Sequence, residues 1–130
     1  ALDIAFSGVT EILLEAWQKA RQGPAEQTQE RLKLLKKMLK VYQRFARNYP
    51  TVRPGFLLQR GYYLALCDRP QSAQRQWRRA LRMARYLAMP YEEAQLLKAL
   101  AGQLSHDHPE KANLLSSSET IMEALQLSNS

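Results

Sequence analysis

Apolar residues recur three and four positions apart along almost the whole chain, in segments set off by Gly23-Pro24, Pro50, Pro54, Pro70, Pro90 and Pro109. That spacing belongs to helices with one buried face, and proline at such intervals marks where one helix stops and another starts. The first segment, about Asp3 to Arg21, places Ile4, Val9, Ile12, Leu13, Ala16, Trp17 and Ala20 mostly on one side, with Gly23-Pro24 as its C-terminal stop. The second, about Thr28 to Asn48, is the most regular. Its stripe is Leu32, Leu35, Met38, Leu39, Tyr42, Phe45, Ala46 and Tyr49, and Pro50 ends it.

Pro54 fits the first turn of a third helix, where its missing N–H costs nothing, and that helix runs to about Cys67. Asp68-Arg69-Pro70 then turns into a fourth, about Gln71 to Leu87, with Ala73, Trp77, Ala80, Leu81 and Ala84 on one face. Met89-Pro90 repeats the device for a fifth, which carries Tyr91, Ala94, Leu97, Leu100, Ala101 and Leu104. Pro109 opens a sixth with Leu115, Ile121, Met122 and Leu125 inward, weakened by the Ser116-Ser117-Ser118 run. No alternating apolar and polar segment rich in β-branched residues occurs, so a sheet is not expected. Short links make successive helices antiparallel neighbours. The predicted architecture is all-α, one domain over residues 1–130 built from three stacked hairpins at about 3–49, 54–88 and 90–127.

Within the second hairpin the small and large residues fall in a telling order. Gly61 lies twelve positions before Ala73, Trp77 follows Ala73 by four, and Ala80 follows it by seven. This order resembles the tetratricopeptide (TPR) repeat, in which a small residue sits where two helices cross closely, an alanine faces it, and an aromatic fills the gap to the next hairpin. Leu57, Arg60 and Leu64 depart from the pattern where the family prefers tryptophan, leucine and tyrosine, and the closing Pro90 comes late. The third hairpin repeats it loosely with Gly102, and Pro54 to Pro90 gives a period of 36 residues, near the roughly 34 of this class. The first hairpin matches only in its amphipathic pattern, as a terminal repeat would. What the resemblance implies is a short right-handed TPR-like solenoid.

A wider resemblance runs from Leu35 to Leu125. It is carried by Tyr42-Gln43-Arg44-Phe45-Ala46-Arg47-Asn48-Tyr49-Pro50, by Arg53-Pro54 and Asp68-Arg69-Pro70, by the stretch from Gln76-Trp77-Arg78-Arg79-Ala80-Leu81 to Ala88-Met89-Pro90-Tyr91-Glu92-Glu93-Ala94, and by Leu104-Ser105-His106-Asp107-His108-Pro109. These words are similar to the C-terminal helical repeats of large signalling proteins that join a nucleotide cyclase or protein kinase domain to an AAA-type, STAND-like ATPase, as in the soluble adenylyl cyclase group. The resemblance implies a regulatory or partner-sensing segment, with the catalysis elsewhere in a longer chain. A first residue of Ala rather than Met agrees with that expectation.

Composition adds little until it is divided along the chain. At 130 residues, 45% hydrophobic and 24% charged, this is an ordinary globular domain, with room for a core and none for two catalytic domains. The net charge of +7 resolves into −3 over residues 1–30, +14 over 31–85 and −4 over 86–130. On the second helix Lys33, Lys36, Lys37, Lys40, Arg44 and Arg47 project opposite the apolar stripe, and on the fourth Arg75, Arg78, Arg79, Arg82 and Arg85 do the same. If repeats stack in order, these second helices form one continuous positive face. Solvated charge explains such a face by itself; the functional alternative is docking of an acidic protein or peptide, or of another domain of the parent chain. A rival is attachment to nucleic acid or an anionic membrane, disfavoured because no aromatics are interleaved for stacking and no DNA-reading motif is present. A second candidate surface is the groove of the first helices, where Gln59, Arg60, Tyr63 and Lys98 are expected to be exposed.

Catalytic chemistry is hard to find. There is no phosphate-binding glycine loop, nucleophile elbow or metal-spaced histidine helix, so an enzyme is not expected and no cofactor is implied. His106-Asp107-His108 has ligand chemistry, but its place before Pro109 reads as a helix cap formed by Asp107 or His108. Glu92 and Glu93 suit the N-terminus of a helix, and Trp17, Trp77, Tyr62, Tyr63, Tyr86 and Tyr91 sit mostly at packing spacings. Cys67, the single cysteine, reads as a space-filling thiol; it excludes an internal disulfide and suits a reducing, cytoplasmic setting. No apolar run would cross a bilayer and no basic leader precedes an apolar stretch.

Overall fold

The computed structural model describes residues 2–128, and every regular element among them is helical. The helices are α1 (Leu2–Ala20), α2 (Ala25–Asn48), α3 (Arg53–Leu66), α4 (Pro70–Tyr86), α5 (Pro90–Gly102) and α6 (Pro109–Ser128), with a single 3-10 turn, Pro50–Val52, between α2 and α3. Proline stands in the first turn of α3, α4 and α5, where the fixed φ of its ring is already helical.

Three antiparallel pairs follow from the side-chain contacts. Phe6 stacks on Tyr42 at 5.3 Å while Arg31 reaches the Ala16 carbonyl, so α1 and α2 run in opposite directions. Trp77 of α4 binds the Leu58 carbonyl of α3, and Ser118 of α6 meets Ala94 of α5 while Lys111 of α6 meets Leu104, just past the end of α5. The pairs then lie side by side: Gln59 contacts Ser7, Tyr63 contacts Trp17 and Arg21 reaches the Leu66 carbonyl, which makes α1 and α3 parallel neighbours. α3 packs against α1, α2, α4 and α5, and its Pro54–Gln59 run is buried without interruption.

Several expected faces shift. α1 turns Thr10, Leu14, Trp17 and Ala20 inward, while Val9 and Ile12, placed in its stripe, are 46% and 66% exposed; Ile4 lies outside the residues whose side chains are described. The α2 stripe holds except at Tyr49, which is exposed beyond the end of the helix. α5 buries Leu96 and Ala99 as well as the anticipated Ala94, Leu97, Leu100 and Ala101, because α3, α4 and α6 all touch it; Tyr91 is exposed, and so is Tyr86. In α6 one residue of the serine run is the buried one: Ser118 donates to the Ala94 carbonyl at 2.7 Å, while Leu115, Ile121, Met122 and Leu125 are half-buried.

The packing residues divide. Ala73, Trp77 and Ala80 are fully buried, and a Cβ added at Gly61 would meet Trp77 Cδ1 and Cε2 at 2.6 Å. Trp77 is thus laid on its own hairpin, donating Nε1–H to Leu58 O at 2.9 Å and meeting Tyr62 edge-on at 5.2 Å. Gly102 has no such role. It is exposed at the last turn of α5, with nothing within 4 Å of where a Cβ would stand. The helix stops differ as well: no described glycine has a positive φ, whereas Asp68 (59°) and Ala88 (52°) do. Each closes its helix by the same pair of bonds, Arg69 N to Leu64 O and Asp68 N to Ala65 O after α3, Met89 N to Ala84 O and Ala88 N to Arg85 O after α4.

Candidate functional site

All eleven cations assigned to the second and fourth helices are exposed, and α3 brings two more, Arg53 and Arg60, between them. The result is a groove along α2 made of two adjoining clefts. One, of about 280 Å³, has Arg47 of α2, Arg53 and Arg60 of α3 and Arg79 of α4 around a floor of Phe56, Leu57 and Met83. The other, of about 210 Å³, has Lys36 and Lys40 beside Tyr63 over Leu39. Gln43, Phe56 and Arg60 belong to both, and no carboxylate lines either. Of the eleven, Lys36, Lys40, Arg47 and Arg79 line this groove, which runs from α2 across α3 to α4.

The cations within it are not equivalent. Arg53 is committed to structure, donating Nε–H to Ala46 O at 2.8 Å and Nη2–H to Arg47 O at 3.0 Å, so its charge sits on the free carbonyls at the C-terminus of α2. Arg85, farther along α4, pairs with Glu93 at 3.0 Å, and Arg75 donates to Ser72 Oγ. Arg47, Arg60 and Arg79 have no hydrogen-bond or ion-pair partner among the described residues. Lys33, Lys37, Arg44, Arg78 and Arg82 are exposed outside the two clefts. Cations gathered with no counter-charge raise the local potential, which an incoming anion relieves.

The second candidate surface is divided by the helix period. One step along α3 turns the side chain by about 100°, so Gln59 and Arg60 open to different sides. Arg60 and Tyr63 face the basic groove. Gln59, expected to be exposed, is only 3% exposed; its Nε2–H donates to Ser7 Oγ at 3.2 Å and its Oε1 has no donor among the described residues. It lines a separate cleft of about 480 Å³ among α1, α3 and α5, where Lys98 stands with Glu11 and Glu15. Burial, and then the charge of Glu11, push the Tyr62 phenol above its ordinary value. Tyr63 is raised by burial and by its hydrogen bond to Cys67, a half-buried thiol packed against the core.

His108 caps α6, its Nδ1 accepting the Glu110 N–H at 3.1 Å. Among the described residues no three His, Cys, Asp or Glu side chains come together to hold a metal, and no helix is long and apolar enough to cross a membrane. The cleft residues that the sequence did not single out as part of a site are Gln43, Arg53, Phe56, Leu57 and Met83. One signal was available: residues 31–85 carry a single acid, Asp68, so the cations of α3 belong to the same band as those of α2 and α4. Compared with family models, curated proteins and solved structures, the chain matches none.

Proposed function

We propose that this chain is a non-catalytic interaction module whose α2–α3–α4 groove docks an acidic segment of a protein partner or of another domain of a longer signalling chain. The observation that carries the reading is the pairing of cationic walls with an apolar floor: Arg47, Arg60 and Arg79 over Phe56, Leu57 and Met83. A segment with carboxylates flanking leucine-like side chains satisfies both, whereas a bare polyanion uses only the walls. The TPR-like, right-handed solenoid and the signalling context belong to the same proposal. They are supported by the Gly61, Ala73, Trp77 and Ala80 spacing, by the parallel approach of α1 and α3, and by the resemblance of Leu35–Leu125, with which a cytoplasmic setting agrees.

The test is a titration of a fluorescent amphipathic peptide of leucine and glutamate at low and at physiological salt. Screening weakens the cationic contribution, since the Debye length falls from about 30 Å at 0.01 M to about 8 Å at 0.15 M, but the apolar floor retains measurable binding. Substituting Met83→Gln is expected to remove that residue of affinity. A single-stranded oligonucleotide or an anionic vesicle that binds more tightly than the peptide, with affinity lost entirely at physiological salt, contradicts the proposal.

A further inference from the structure

We infer that the Arg47–Arg60–Arg79 cluster is a phosphoryl-binding subsite, so that the acidic segment docked in the groove is a phosphorylated one; this rests on the docking function proposed above. The three arginines come from three different helices and line one cleft of about 280 Å³. None has a hydrogen-bond or ion-pair partner among the described residues, while Arg53 beside them and Arg85 farther along α4 are each held by the fold. A lone carboxylate answers one of the three free charges. A phosphomonoester, with a charge of about −1.5 to −2 and three acceptor oxygens that guanidinium groups bind in pairs, answers more of that charge. Arginine is the side chain whose planar fork matches that geometry, and the lysines of the band, Lys33, Lys36, Lys37 and Lys40, all lie along α2 outside this cleft. The floor of Phe56, Leu57 and Met83 gives the carbon side of the ester an apolar seat. That floor favours a phosphorylated protein over nucleic acid, whose repeated phosphates would spread along the whole band.

The probes are phenyl phosphate and benzoate, one ring carrying either a phosphoryl group or a carboxylate, titrated into the isotopically labelled chain at physiological salt. The expected result is amide shifts centred on Arg47, Arg60 and Arg79, with phenyl phosphate binding about tenfold more tightly than benzoate. Arg60→Gln and Arg79→Gln should abolish that preference, and Arg82→Gln, an equal loss of charge on the same helix as Arg79 but outside the cleft, should keep it. Unchanged amide spectra elsewhere in each variant separate loss of the site from loss of the fold. Equal affinity for the two probes overturns the phosphoryl subsite and leaves acidic docking standing. Absence of any shift in the cleft with either probe, together with failure of the leucine–glutamate peptide to bind, overturns both. An oligonucleotide that binds more tightly than phenyl phosphate and loses as much affinity in Arg82→Gln as in Arg60→Gln overturns the protein source.

Discussion

Gly61 and Trp77 act as one unit: the indole lies where a β-carbon would be, and its N–H uses the lone pair of Leu58 O that faces it. A methyl group at position 61 must displace a ring that is fully buried, so Gly61→Ala is expected to cost about 2–3 kcal/mol by overpacking, read as a lowered urea midpoint. Trp77→Ala leaves a cavity instead and should cost about 3–5 kcal/mol. The spacing of Gly61, Ala73, Trp77 and Ala80 was legible because close packing demands small residues at fixed intervals. Gly102 was read by the same rule and failed it. The crossing of α5 and α6 is made by Ala94 and Ser118, and nothing in a run of three serines says which of them turns inward.

At the scale of elements, proline told where helices begin far better than glycine told where they end. α4, α5 and α6 each begin on a proline, but the left-handed positions that close α3 and α4 fall on Asp68 and Ala88. Aspartate tolerates that conformation through its short polar side chain; alanine has no such recourse and holds it at a cost of about 1–2 kcal/mol. Ala88→Gly is therefore expected to raise thermal stability, by up to about 1 kcal/mol once the greater freedom of glycine in the unfolded chain is subtracted. No change, or a loss, in the melting temperature would show that the strain at Ala88 is absent. Faces were legible where burial keeps the helical period, as on most of α2 and on α4. They blurred on α3 and α5, where several neighbours bury consecutive residues and the 3.6-residue period disappears from the pattern of burial.

For the whole molecule, the segregation of charge was plain in the chain and the groove was not. Residues 31–85 hold fifteen cations and one acid, yet only packing decides that Arg60 opens toward α2 and α4 while Gln59 turns to the cleft of α1 and α5. The floor of Phe56, Leu57 and Met83 was invisible for the same reason, since core and groove draw on the same residue types. The central claim is that this groove, rather than the basic band as a whole, receives an acidic partner segment. The most direct measurement compares two double variants of equal charge, Arg60→Glu with Arg79→Glu and Lys33→Glu with Arg82→Glu, for binding the leucine–glutamate peptide at physiological salt. The account predicts a loss of about a hundredfold or more for the cleft pair, some 2.7 kcal/mol, and only a slight, salt-sensitive weakening for the other. Equal losses from the two pairs would contradict it.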